Sequence, residues 1–257
     1  MKPETFNSRK AIFPLIFIFS AIFFIVACSK SNNNPPVTTT TTGTAFVSVV
    51  DASPTTATYS VYSDTTNIST AGTLSYGSAT GVAGGNPYAS IVPGTHSIKL
   101  LTGGNTIFID SNASFANGDY YSFFVYDTGQ VKTLALTDNL TAPASNSAEV
   151  RFLNLSPNSQ MLNVWLINKD STTNDSTSFL SNAYIGSATV SSDSLSSFKT
   201  IPAGTYKVLF NSSTELSLFE NDSLTFAGGK IYTLYAKGYQ SSVNPTDSLG
   251  LGVIQNN

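Results

Sequence analysis

The amino-acid sequence predicts an all-β protein. We expect two tandem antiparallel β-sandwich domains of immunoglobulin-like type, placed after an apolar N-terminal segment and a polar tether. Three observations carry this expectation: the composition, an ordered internal repeat, and short apolar runs separated by turn residues. Of the 257 residues, 41% are hydrophobic and only 11% are charged, with 17 Phe and 12 Tyr. Aromatic and β-branched side chains suit a pleated, half-buried surface, and Ser, Thr, Asn and Gly suit its turns. Long stretches of strong helix formers are missing.

The first element, residues 1–27, reads as a signal peptide. Lys2, Arg9 and Lys10 precede Ala11–Val26, sixteen residues without a charge and with Pro14 inside. That is the order of a charged n-region and an apolar h-region, and it is shorter than the roughly 20 residues of a membrane-spanning helix. Ile25-Val26-Ala27-Cys28 resembles the bacterial lipobox, and Cys28 is the chain's single cysteine. Its thiol is the nucleophile that would accept a diacylglyceryl group, and two or more acyl chains make a firm anchor. With one Cys, no intrachain disulfide can form. We therefore expect lipidation at Cys28 and a membrane partner through its acyl chains.

The second element, residues 28–44, is the lipidated Cys and a linker, "SKSNNNPPVTTTTTGT", with no apolar periodicity. Such a segment cannot bury a face and is expected to be a disordered tether. Ser29 rather than Asp follows the cysteine, which by the enterobacterial sorting rule resembles a lipoprotein of the outer membrane. Periplasmic and surface faces both remain open.

The remaining elements are two copies of one unit, 45–143 and 144–257. "AFVSVVDASP" matches "AEVRFLNLSP", "YGSAT" matches "IGSAT", "VPGTHSIKL" matches "PAGTYKVLF", and "FANGDYYSFFVY" matches "FAGGKIYTLYAK". The offsets are 103, 109, 110 and 111, so order is kept and the differences fall in loops. Strands are expected at Ala45–Val50, Thr58–Tyr62, Ala89–Val92, Thr95–Leu101, Thr106–Asp110, Tyr120–Tyr126 and Val131–Leu136. Turns such as Ser53-Pro54, Pro93-Gly94 and Asn117-Gly118 separate them. Immunoglobulin-like, jelly-roll and transthyretin-like wiring would all produce this pattern. The joining segment, Leu140–Ser147, is short and contains Pro143.

An opening strand ending in "DASP" or "NLSP", a "PGT" or "AGT" hairpin, and "FANGDYY" or "FAGGKIY" before an aromatic strand resemble the domain of unknown function 4397 family. The resemblance runs from Ala45 to about Val253. It implies tandem sandwiches in a secreted or lipid-anchored bacterial protein and transfers no catalytic residue. Where Asp51 and Asn154 stand here, members of that family often carry His.

Charge argues against nucleic acid. Lys2, Arg9, Lys10 and Glu4 leave with residues 1–27, so 12 cations against 15 anions become 9 against 14, with no basic cluster. The chain carries a single His, His96, and no Cys beyond Cys28, which disfavours zinc and copper sites. His96 shares a face with Ile98 and Leu100 and is expected at the core edge, where the second copy has Tyr206. A GxSxG elbow is absent. We expect no catalytic residue, no metal and no cofactor.

The aromatic strand offers a candidate binding face. With Tyr121, Phe123 and Val125 inward, Tyr120, Phe124 and Tyr126 point the other way, joined by Tyr235 in the second copy. Such a row could stack on a glycan or meet an envelope protein, unless a loop or the other domain covers it. Trp165 is expected to pack in a core. Asp-Ser/Thr pairs at Thr65, Ser171, Ser176, Ser194, Ser223 and Ser248 resemble an O-glycosylation sequon, and equally ordinary Asp-Ser turns. The function expected is a non-catalytic binding or adhesion module for a glycan or protein. The alternative is a periplasmic spacer without a ligand, and a hydrolase ranks third.

Overall fold

The computed structural model describes residues 43–257, apart from 70–71, 82–84, 104–105, 160, 173–174, 187–191 and 216. The expected signal segment, Cys28 and nearly all of the tether lie outside these residues.

The first half contains β1 (Ala45–Asp51), β2 (Thr58–Ser63), β3 (Thr66–Asn67), β4 (Leu74–Ser75), β5 (Ala89–Ile91), β6 (Gly94–Leu101), β7 (Ile107–Phe115), β8 (Tyr120–Tyr126) and β9 (Lys132–Asp138). The second contains β10 (Ser147–Asn154), β11 (Met161–Asn168), β12 (Ser176–Ala183), a short helix α1 (Ser192–Ser196), β13 (Lys199–Pro202), β14 (Gly204–Asn211), β15 (Phe219–Phe226), β16 (Ile231–Lys237) and β17 (Gly250–Gln255). They form two sheet pairs. One sheet of the first pair runs β5-β1-β8-β9 and its mate β3-β2-β6-β7, with β4 on β2; the second pair runs β13-β10-β16-β17 and β12-β11-β14-β15.

The expected all-antiparallel arrangement needs one correction. β1 runs parallel to β8, with Val47 opposite Tyr121 and Val49 opposite Phe123, and β10 runs parallel to β16. Each half is therefore a mixed sandwich. Leaving aside the two-residue β3 and β4, successive strands also alternate between sheets from β1 to β6, whereas an immunoglobulin domain places its first two strands in one sheet. Strand positions are local and can be read from turn residues, but the partners in these parallel pairs are 74 and 82 residues apart and cannot. β7 also reaches beyond the expected Asp110 to Phe115, because Gly94 to Leu101 offers it a full-length partner.

The repeated motifs perform the same physical work in both halves. In "FANGDYY", the Phe115 and Tyr121 rings meet edge-on at 5.1 Å and the Ala116 N–H donates to the Tyr121 hydroxyl at 2.9 Å. In "FAGGKIY", Phe226 and Tyr232 meet at 5.1 Å and the Ala227 N–H donates to the Tyr232 hydroxyl at 3.0 Å. In "DASP", the Ser53 N–H donates to Asp51 Oδ1 and the Ser53 hydroxyl to the Asp127 carbonyl; in "NLSP", Ser156 donates likewise to Asn154 Oδ1 and the Gly238 carbonyl.

Three cores result. Val47, Val49, Tyr59, Val61, Ile98, Leu100, Phe123 and their neighbours fill the first sandwich. Val150, Phe152, Val164, Leu166, Val208, Phe210 and Leu234 fill the second. Val50, Phe124, Tyr126, Leu136, Leu153, Leu155, Tyr184, Tyr235 and Ile254 form the third, between the two β1- and β10-containing sheets. Those sheets are thus covered on both faces, as sheets with parallel strands usually are. This explains why "FVSVV" and "SFFVY" are almost continuously apolar instead of alternating.

Candidate functional site

The third interface is graded from end to end. On the face of β1 and β8 that turns away from the first core, the order is Phe46, Ser48, Val50 and Tyr120, Ser122, Phe124, Tyr126. On β10 and β16 it is Glu149, Arg151, Leu153 and Ile231, Thr233, Tyr235. Ser48 lies opposite Ser122 and Arg151 opposite Thr233. A buried polar layer therefore separates the apolar third core from the end of the interface that opens to solvent.

Arg151 is the centre of that layer. Its side chain is 1% exposed, and Nη2 lies 2.7 Å from Asp138 Oδ1, itself fully buried. Neither Nη group reaches hydrogen-bond geometry, so the contact is a close ion pair off the N–H axis. Its Nε donates to Thr233 Oγ1 at 2.8 Å, and its guanidinium stacks 4.6 Å from the Phe198 ring centre. Asp138 Oδ2 accepts from Ser122 Oγ and Tyr88 OH, both at 2.7 Å. Asn256 Nδ2 donates to the Tyr88 hydroxyl and Thr233 Oγ1 to Asn256 Oδ1, each at 2.8 Å. This network joins the halves through side chains from both. Burial, then the neighbouring Asp138 carboxylate, raises the Tyr88 hydroxyl well above its usual range.

Above the polar layer lies a cleft of about 1310 Å³, walled by both halves. Gly85–Asn86, Gly118–Tyr120 and Thr137–Thr141 come from the first; Glu149, Ser196–Phe198, Lys230 and Gln255–Asn257 come from the second. Tyr120 is held by Phe46, stacked at 4.5 Å and 10°, and by Tyr88, edge-on at 5.1 Å. Asn86 Oδ1 accepts from the Tyr88 N–H and Asn139 Oδ1 from the Thr141 N–H, both at 3.0 Å.

At the other end of the interface, Asp51 is fully buried, with Oδ1 on the Ser53 N–H and Oδ2 without a hydrogen-bond partner. Burial pushes its carboxyl up to about 7, against the lowering effect of Ser53. The buried Tyr235 hydroxyl also has no partner and is raised by burial and then by Asp51. Gly252 sits opposite Tyr235 on β17, and a Cβ there would come within 2.0 Å of the Tyr235 ring, so only glycine admits the ring. Lys237 lies over the Tyr76 ring at 4.1 Å, and burial lowers its ammonium. Asp127 bridges the halves, accepting from Tyr184 OH at 2.8 Å with Lys132 Nζ 3.2 Å away.

The expected binding face is corrected by this packing. Phe124 and Tyr235 are 0% exposed and Tyr126 is 6%, and their rings meet partners across the interface: Phe124 with Tyr235, and Tyr126 with Tyr184. The second half covers the aromatic row. Tyr120 alone of the four lines the cleft. Trp165 is corrected too: Val164 and Leu166 point into the second core, so strand alternation leaves Trp165 half-buried on the opposite face.

His96 stands where Tyr206 stands in the second half. It packs at 6.3 Å against Phe115, as Tyr206 packs at 5.4 Å against Phe226, and its Nδ1 lies 2.6 Å from Asp64 Oδ2. Among the sequon hydroxyls, Thr65, Ser176, Ser194 and Ser223 belong to exposed residues, and Ser171 and Ser248 to half-buried ones. Ser171 donates to Asp175 Oδ2 and Ser248 to the Asn244 carbonyl. Among the described residues, no three of His, Cys, Asp and Glu gather into a metal-binding group. Cys28 lies outside them.

Sequence reasoning missed Arg151, Asp138 and Phe198. One signal was available: Arg151 is a charged residue inside the largely apolar "VRFLNL" strand, at the place where the matching strand of the first half has Ser48.

Comparison with known proteins places a domain of the family described as domain of unknown function DUF4397 at residues 45–165. The match starts at the first residue of β1, takes in the whole first sandwich and ends within β11; the remainder of the second half is not matched. No curated protein matches the chain. Among solved structures, a leucine-rich repeat protein from Bacteroides thetaiotaomicron is similar at 12% identity with a TM-score of 0.21. The similarity covers 74% of this chain and 26% of that one, so the chain spans about a quarter of that protein's length.

Proposed function

We propose that this chain, which carries a DUF4397 domain at residues 45–165, is a lipid-anchored protein of the bacterial outer membrane. Its two sandwiches act together as one non-catalytic binding module, and residues 144–257 are a second copy of the first unit. The observation that carries the binding reading is the cleft of about 1310 Å³ built jointly by both halves. A groove of this size with walls fixed by a buried network is a pre-formed site. The anchor reading rests on Ile25-Val26-Ala27-Cys28, and the polar linker after it lets the sandwiches stand clear of the headgroups. Ligand therefore meets the cleft, not the aromatic strand face.

A spacer without a ligand is the second reading, favoured by the third core, which joins the halves into a continuous body. Metabolic labelling with palmitate tests the anchor. Wild type should take up label and pellet with membranes, and Cys28→Ala should do neither; a Cys28→Ala protein that pellets like wild type refutes it. Proteolysis of intact against lysed cells then assigns the face. Degradation in intact cells supports capture of external ligands, and protection until lysis moves the weight to a periplasmic spacer.

A further inference from the structure

We infer that the cleft between the sandwiches binds an uncharged oligosaccharide, an inference that rests on the binding-module reading. Three independent features of the walls point to this ligand class.

The first is a pair of aromatic rings fixed from behind. Phe46 covers one face of Tyr120, and the Arg151 guanidinium lies over Phe198. Both rings are half-buried and line the cleft, so each offers its remaining surface without having to be ordered on binding. A pyranose ring presents a patch of C–H groups that packs on such a surface, with its hydroxyls left at the rim.

The second feature is the polar rim. Asn86 and Asn139 use their side-chain oxygens on backbone N–H groups, which fixes the side chains and leaves the NH₂ ends as donors. Thr137, Ser196 and Glu149 add hydroxyl and carboxylate groups. This mixture of fixed amides, hydroxyls and carboxylate matches a ligand that is both donor and acceptor at every hydroxyl.

The third feature is charge. Asp138 is already paired with Arg151, which leaves Asp119 and Glu149 against one cation, Lys230, among the described lining residues. That excess of negative charge disfavours polyuronates and sulfated chains. The cleft also exceeds the volume of a typical small-molecule pocket, roughly 300–1,000 Å³, and so accommodates several sugar rings in a row.

The test is calorimetric titration of the full chain, in detergent micelles, with maltohexaose, cellohexaose, mannohexaose, chitohexaose and hexagalacturonate. At least one uncharged hexasaccharide should bind, and hexagalacturonate should bind at least about tenfold more weakly. Phe198→Ala and Tyr120→Ala should each weaken the sugar by about tenfold. Because Tyr120 also packs on Phe46 and Tyr88, Asn139→Ala supplies a variant at an exposed loop position; it should cost about threefold with unchanged thermal unfolding. The inference is overturned if none of the four uncharged sugars binds, if hexagalacturonate binds best, or if Phe198→Ala and Asn139→Ala bind like wild type. Membrane partition of Cys28→Ala is independent of all these outcomes. A failed titration beside a confirmed anchor therefore removes the saccharide and leaves the envelope location standing.

Discussion

Arg151→Met removes a buried cation whose counter-charge, Asp138, is fully enclosed. The variant leaves Asp138 with two hydrogen bonds, from Ser122 and Tyr88, and no positive partner. Stranding one member of a buried ion pair typically costs about 3–5 kcal/mol. In a unit of this size each kcal/mol lowers the midpoint by about 2–4 °C, so the expected drop is roughly 6–20 °C. The double variant Arg151→Met/Asp138→Leu removes both charges and should recover most of the loss, ending within about 2 kcal/mol of wild type. Unfolding in urea can be followed by Trp165 fluorescence, which reports on the second sandwich, and by circular dichroism, which reports on both. Because the pair sits between the halves, the two probes should give one coincident transition in wild type. A loss below about 1 kcal/mol in Arg151→Met would refute the reasoning. So would a double variant whose cost equals the sum of the two single costs, since the residues would then not be coupled.

Two further predictions concern the opposite end of the interface. Asp51 titrates near 7 in the folded chain against 3.8 in a free side chain, so the folded state holds the proton more tightly and stability falls as pH rises between those values. Asp51→Asn, which copies Asn154 and keeps the Ser53 bond, should add up to about 4 kcal/mol at pH 8.5 and little at pH 4; equal pH slopes of urea midpoints for the two proteins would contradict this. Phe124→Ala opens a void in the third core beside Tyr235 and should cost about 3–5 kcal/mol in thermal unfolding. A loss within about 0.5 kcal/mol would mean that Phe124 is a surface residue after all.

Much of the fold was legible because its signals are local. Pro93-Gly94 and Asn117-Gly118 placed the starts of β6 and β8 to within a residue or two, and the paired motifs fall at equivalent places in the two sheet pairs. The alternation of Tyr121, Phe123 and Val125 identified the inward face of β8. What was not legible depends on groups far apart in sequence. Nothing near Val47 says that its neighbour will be Tyr121 in a parallel ladder. Nothing near Phe124 says that Tyr235 will cover it, so an apolar row and an exposed row read alike. The cleft was least visible, because Tyr120 and Phe198 are 78 positions apart and each is unremarkable alone. Arg151 was the exception, a charge in an apolar strand, and it marks the layer on which the cleft rests.

The place of β1 has a mechanical consequence. It is the first strand of the described residues, yet it is an inner strand, flanked by β5 on one side and β8 on the other. Tension arriving along the chain at Ala45 cannot peel a border strand away one bond at a time. It must load three residue pairs to β5 and six to β8 together, while Val50 is gripped from the neighbouring sandwich. Resistance to pulling is governed by the unfolding rate and not by equilibrium stability. Under the proposed anchor, a load on the chain would therefore enter at a strand paired along both of its edges.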